Sequence, residues 1–306
     1  MRFSIFFLLA SVMTALAVPV ANVKRYTGQT VAYFGQIKKS SGDSLANLCK
    51  DPNVDIVVLA FLHILWGAGG LPGTDFWPYC SGTIPGTDLA NCPTYEADIK
   101  ACQANGKKVL LSIGGATMTQ SMTDPVKFSQ NVWNLFGRGK GSIRPFGTAV
   151  VDGYDLDIET NNNTGWTQLV AEFRKLAASS GGVIISGAPQ CPKPDASLQD
   201  TVYKLDYLFI QFYNNWCGTT SIPSSFADWS QDLAAKNPGA KLFVGVPGAA
   251  DAAGSGYMQP SQMASMVSQV KNKSNYGGVM TWDWAYAKNN IGSDGRNYMQ
   301  ALRQAA

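Results

Sequence analysis

Eight apolar runs recur along the chain, each followed by a stretch of different periodicity. They cover residues 30–36, 55–65, 108–115, 153–159, 182–190, 207–214, 241–248 and 277–284. Most are rich in β-branched or aromatic residues and nearly continuous in apolar character, as strands buried on both faces of a parallel sheet are. Between them the apolar positions take a helical period, as in 124–137 and 166–178. Asp124 ahead of Pro125 predicts an N-cap with proline in the first turn. Alternation of this kind, eight times over, predicts an α/β fold: a single (β/α)8 TIM barrel. The rival, an open doubly wound sheet, calls for a Gly-rich phosphate loop after its first strand, and none follows residue 36.

The fourth run breaks the apolar rule. Residues 152–159 read DGYDLDIE, with Asp155, Asp157 and Glu159 alternating with Leu156 and Ile158. Strand side chains alternate faces, so the three acids project to one side together. Stacked carboxyl groups in a sheet interior repel one another and lose hydration, so folding alone does not favour them. This strand therefore reads as a catalytic centre. Gln36, Glu159, Gln190, Tyr213 and Trp282 fall at the C-terminal ends of predicted strands, where a TIM barrel builds its active site. Asp152 has the other parity from Asp155 and opens the strand. It reads as a structural acid that bonds backbone near Ser112 or on the neighbouring strand.

Composition narrows the setting. With 306 residues, 45% hydrophobic and 15% charged, the chain can bury one large core, and a scattered net charge of +3 argues against a nucleic-acid partner. Arg2, an apolar run over 5–9 and Ala15-Leu16-Ala17 predict a signal peptide over 1–17. Lys24-Arg25 marks the end of a short propeptide over 18–25, leaving 26–306 as the catalytic domain of a secreted protein. The leader's apolar run, interrupted by Ser11 and Thr14, is too short to span a membrane. The C-terminal end has no apolar tail of the kind that signals a glycolipid anchor. Six cysteines in an exported chain predict three disulfides, though spacing alone leaves every pairing open. His63 is the only histidine and no C-x-x-C occurs, so neither a metal nor a cofactor is expected. Asn162 and Asn272 head glycosylation sequons. The longest loop, 66–91, is rich in Gly, Pro and Thr, with Cys80 and Cys92 placed to staple it.

DGYDLDIE fits the D-x-x-D-x-D-x-E signature of glycoside hydrolase family 18, the chitinases. LSIGG over 111–115, YFGQ over 33–36, QFYNN over 211–215 and MTW over 280–282 resemble further motifs of that family, in order and on the matching strands. The likeness is greatest to the single-domain class III chitinases of plants and fungi typified by hevamine. It implies an endochitinase that cleaves β-1,4 linkages between N-acetylglucosamine units with retention. In such enzymes the substrate's own acetamido oxygen replaces a protein nucleophile. Glu159 is then the general acid, Asp157 the partner of the acetamido N–H, and Tyr213 the holder of its oxygen. Asp155 shares a proton with Asp157, since adjacent buried carboxyls resist joint ionisation. The same neighbourhood raises the Glu159 pKa.

The resemblance makes Trp282 the floor under the reacting sugar, with Gln211 and Tyr33 as further contacts. Trp284 shares the parity of Trp282 and reads more readily as core. His63 stands where hevamine-like proteins tend to carry asparagine, as a candidate sugar contact or a packed rim residue. The implied disulfides are Cys49–Cys102, Cys80–Cys92 and Cys191–Cys217. The short span over 248–275 lacks the inserted domain of processive relatives, which implies an open groove and endo-type cutting. Expected partners are chitin and N-acetylglucosamine oligomers, with no nucleic acid or membrane and a monomeric state. Two alternatives share the resemblance: a non-catalytic chitin-binding lectin or inhibitor, and an endo-β-N-acetylglucosaminidase acting on N-glycans.

Overall fold

The computed structural model describes residues 28–306. The expected signal peptide and propeptide lie outside the described residues. The strands are β1 (Gln29–Phe34), β2 (Ile56–Ile64), β3 (Gly73–Thr74), β4 (Lys108–Gly114), β5 (Gly153–Asp157), β6 (Ile184–Gly187), β7 (Tyr207–Gln211), β8 (Lys241–Pro247) and β9 (Tyr276–Trp282). The helices are α1 (Leu45–Lys50), α2 (Tyr95–Ala104), α3 (Pro125–Phe136), α4 (Trp166–Ala177), α5 (Ile222–Lys236), α6 (Pro260–Val270), α7 (Trp284–Asn289) and α8 (Tyr298–Ala305). Each predicted apolar run holds one barrel strand.

The order β1-β9-β8-β7-β6-β5-β4-β2 closes through a β1–β2 pairing, and every neighbouring pair in that ring is parallel. This is the TIM barrel expected from the alternation. Two features depart from a regular eightfold repeat. The connection from β6 to β7 carries a 3-10 segment, Gln199–Lys204, in place of an α-helix. The long loop after β2 contains β3, which lies antiparallel on β2.

Side-chain alternation divides the core into two layers. Val31, Tyr33, Val58, Phe209, Phe243 and Met280 fill the barrel interior. Phe34, Val57, Tyr154, Leu156 and Val244 face outward beneath the helices. Tyr154 stacks on Phe173 of α4 with ring centroids 4.2 Å apart and planes 18° from parallel, a contact that adds to simple burial. Asp124 caps α3 by accepting from the Lys127 N–H at 2.9 Å, with Pro125 opening the helix. Gly28, just ahead of β1, donates its N–H to the carbonyl of Ala306, just after α8, at 3.1 Å.

The disulfides are Cys49–Cys102 between α1 and α2, Cys80–Cys92 within the loop after β3, and Cys191–Cys217 between the loops after β6 and β7. Among the described residues no helix is long and apolar enough to cross a membrane.

The parity drawn between Trp282 and Trp284 does not hold. The strand ends at Trp282, Asp283 caps the next helix by accepting from Tyr286 N–H at 3.1 Å, and Trp284 is the first residue of α7. Its ring is 1% exposed and its Nε1 donates to Asp51 Oδ2 at 2.9 Å. A cap residue resets the periodicity, which apolar content alone does not reveal.

Candidate active site

The barrel register sets Asp155 between two serines. Ser112 of β4 and Ser186 of β6 are its lateral neighbours. Ser112 Oγ donates to Asp155 Oδ2 at 2.7 Å and Ser186 Oγ donates to Oδ1 at 2.6 Å. Tyr33, reaching across from β1, donates its hydroxyl to Oδ2 at 2.7 Å. Burial pushes the Asp155 carboxyl up, and the three hydroxyl donors oppose that rise by stabilising the anion.

One step higher on β5, Asp157 has a different environment. Gln211 Nε2 donates to its Oδ1 at 3.0 Å while also donating to the Ala188 carbonyl at 3.0 Å. Burial first, then the charges of Glu159 and Asp155, hold the Asp157 carboxyl well above the usual carboxylate range. A hydrogen bond to Glu159 acts in the same direction. Glu159 is also raised, chiefly by burial, with the charge of Asp195 adding to it. Asp157 thus feels both neighbouring acids, Glu159 more strongly than Asp155. Asp155 has its oxygens filled by hydroxyls.

The glycine pair of LSIGG gives these acids their depth. Gly114 lies beside Asp157 in register with φ +120°, and a Cβ there would stand 2.0 Å from the Asp157 carbonyl oxygen. Gly115, at φ +83°, donates its N–H to that carbonyl at 2.7 Å, and a Cβ on it would meet the Phe61 ring at 2.8 Å. Only glycine adopts this backbone so close to its neighbours without strain.

A cavity of about 370 Å³ opens above the acids, lined by Asp157, Glu159, Gln211, Tyr213, Phe61 and Trp282, among others. Trp282 stacks on Phe61 with centroids 5.7 Å apart at 20°, and Tyr33 packs against it at 5.8 Å. Tyr213 is 8% exposed, and burial followed by the charges of Asp157 and Glu159 keeps its phenol protonated. A larger depression of about 700 Å³ lies between α6 and α8 and holds none of these acids.

The remaining predicted residues lie elsewhere. His63 lines a neighbouring cavity of about 330 Å³ with Asp75, Trp77 and Asp88. Phe61 of the acid-lined cavity and Asp75 of this one exchange backbone hydrogen bonds of 3.0 Å. Asp152 bonds the neighbouring strand at Val109 N–H (2.9 Å) and Gln103 Nε2 of α2 (3.0 Å), not near Ser112, which Asp155 occupies. Asn162 donates its side-chain amide to Ser121 Oγ, and Asn272 is exposed just after α6.

Sequence reading missed Asp195, in the loop after β6. It is 5% exposed and accepts from the backbone N–H groups of Gln190 (2.9 Å), Ser197 (3.1 Å) and Leu198 (2.6 Å). A loop residue has no periodicity to expose its role. Ser112 and Ser186 were findable, as lone hydroxyls in apolar runs at the level of Asp155. The assembled site can hold a proton between Asp157 and Glu159 and deliver it into a cavity with an aromatic floor.

Residues 29–257 match the profile described as Glycosyl hydrolases family 18. Chitinase 2 of Rhizopus oligosporus is 39% identical over 97% of this chain and 55% of its own length. A class III chitinase of Arthroderma benhamiae is 36% identical over 87% of both chains. The crystal structure of a chitinase from Ipomoea carnea superposes with a TM-score of 0.76 at 29% identity, covering 91% of this chain and all of the other. The chain spans between half and two thirds of the length of most curated relatives it matches. With the family profile matched over most of its length and the acid ladder set in a closed barrel, the chain belongs to glycosyl hydrolase family 18.

Proposed function

We propose that this chain is the catalytic domain of a secreted, monomeric endochitinase that hydrolyses β-1,4 linkages between N-acetylglucosamine units with retention. The observation that carries the reading is that Asp157, Glu159, Gln211, Tyr213 and Trp282 line one cavity at the C-terminal mouth of the barrel. Glu159 gives its proton to the glycosidic oxygen as the bond to the anomeric carbon breaks. As the resemblance to family 18 implies, the attacking atom is the acetamido oxygen of the substrate, which bonds to the anomeric carbon while Asp157 takes up the acetamido N–H. Tyr213 orients that oxygen by hydrogen bonding. Glu159, now ionised, removes a proton from water as it opens the intermediate, and retention follows from two displacements.

The short β8-to-β9 connection, in which α6 is the only helix, leaves the groove open and supports internal cutting. Chitinase names among the relatives support the same substrate, and the presence of Glu159, Asp157 and Tyr213 together disfavours the lectin reading. The deciding experiment compares wild type with Glu159→Gln on N-acetylglucosamine tetramer to hexamer, following products and anomers. Internal cleavage giving β-anomers, lost in the variant, supports the proposal. Oligomer binding without cleavage by wild type would overturn it in favour of a lectin.

A further inference from the structure

Among the described residues three large apolar side chains are exposed: Trp77 at 67%, Trp216 at 80% and Ile291 at 59%. Single exposed apolar residues are ordinary on protein surfaces. The two tryptophans are distinguished by where they stand. Trp77 lies three residues before Cys80 of the Cys80–Cys92 bridge, and Trp216 immediately precedes Cys217 of the Cys191–Cys217 bridge. Both belong to loops that leave the C-terminal ends of barrel strands, one from the β2–β3 hairpin and one from β7. In the closed ring, β2 and β7 are opposite: three strands separate them in either direction. The acid-lined cavity lies between.

Each loop is also tied to a wall of that cavity. Asn215 donates to Gln190 Oε1 at 3.1 Å and to the Tyr213 carbonyl at 3.2 Å, fixing the backbone just ahead of Trp216. Trp77 N–H donates to Asp75 Oδ1 at 2.8 Å, and Asp75 is paired with Phe61, which stacks on Trp282. Phe76, with no exposed surface, roots the same turn in the core. An indole held in water on an anchored backbone loses little freedom when a sugar's C–H face packs onto it.

We infer that Trp77 and Trp216 form a two-point platform that holds a solid-phase chitin chain across the barrel mouth, over the cavity between them. This rests on the chitin reading above. The occupant is a long or surface-held chain, because two indoles on opposite sides of the mouth cannot both be reached by a sugar confined to the cavity.

The test uses Trp77→Ala, Trp216→Ala and the double variant, with binding to chitin powder measured by depletion in a Glu159→Gln background. Turnover of powder and of soluble tetramer is measured in the active background. The double variant is expected to bind powder about tenfold more weakly and to degrade it correspondingly slowly. Tetramer turnover is expected to stay within about twofold, with melting unchanged, since both side chains are on the surface. Tyrosine at either position should restore most of the binding. Unchanged powder binding in the double variant overturns the platform, as does an equal loss on powder and tetramer. Wild type that cleaves tetramer but ignores powder also overturns it. Wild type that cleaves neither overturns the chitin reading itself.

Discussion

Ser186 donates its hydroxyl to Asp155 Oδ1 at 2.6 Å across adjacent strands, with neither residue showing any exposed surface. With Ser112 and Tyr33 it keeps Asp155 an acceptor. Removing both serines (Ser112→Ala with Ser186→Ala) leaves a buried carboxylate short of donors. Each loss is expected to cost about 1–3 kcal/mol of stability. Turnover should fall as well, because without its hydroxyl donors Asp155 is pushed further towards its protonated form and the charge acting on Asp157 changes. Denaturant melts and oligomer turnover read the two effects; wild-type turnover in the double variant would show that the hydroxyls are mere packing.

Glu159→Gln removes the proton donor while keeping the shape of the side chain. Turnover should drop by about a hundred- to ten-thousand-fold, the usual worth of general acid catalysis. Oligomer affinity, measured by calorimetry, should change little.

Asp195 places a negative charge near the Asp157–Glu159 pair and raises both. Asp195→Asn keeps a carbonyl acceptor for the loop N–H groups and deletes the charge. Glu159 then loses its proton at lower pH, so the alkaline limb of the kcat/KM profile should move down. An unmoved limb alongside reduced stability would make Asp195 a loop anchor only.

Asp283 bears on stability. Burial pushes its carboxyl up to about 7, and its Oδ2 has no hydrogen-bond partner. The folded state therefore holds a proton that the unfolded chain has lost, and stability falls as pH rises from about 4 to 7. Asp283→Asn can still cap α7 and does not ionise. It should stabilise the protein near neutrality, by at most about 4 kcal/mol, and change little near pH 4. Melting curves of both proteins across that range check the sign.

The acid ladder was legible because strands have a period of two, and three acids in that period leave one geometric reading. The barrel was legible for a related reason: strands covered on both faces read as apolar runs. What sequence hid is non-periodic. Asp195 acts from a loop, through backbone amides that no motif records. Trp284 followed the wrong parity because Asp283 ends one period and begins another. Asp152 was recognised as structural, but Gln103, on a different element, could not be named as its partner. The three hydroxyls that hold Asp155 arrive from β4, β6 and β1, which lie far apart in sequence.

That last arrangement makes a single carboxylate the meeting point of strands from the start and the middle of the chain. Tyr33 and Asp155 are 122 positions apart. A nascent chain or a proteolytic fragment that has built β4 to β6 without seating β1 has the acids but not their charge pattern. Chemical competence is therefore acquired at ring closure, so recovery of turnover during refolding should lag the appearance of secondary structure and coincide with docking of the first strand.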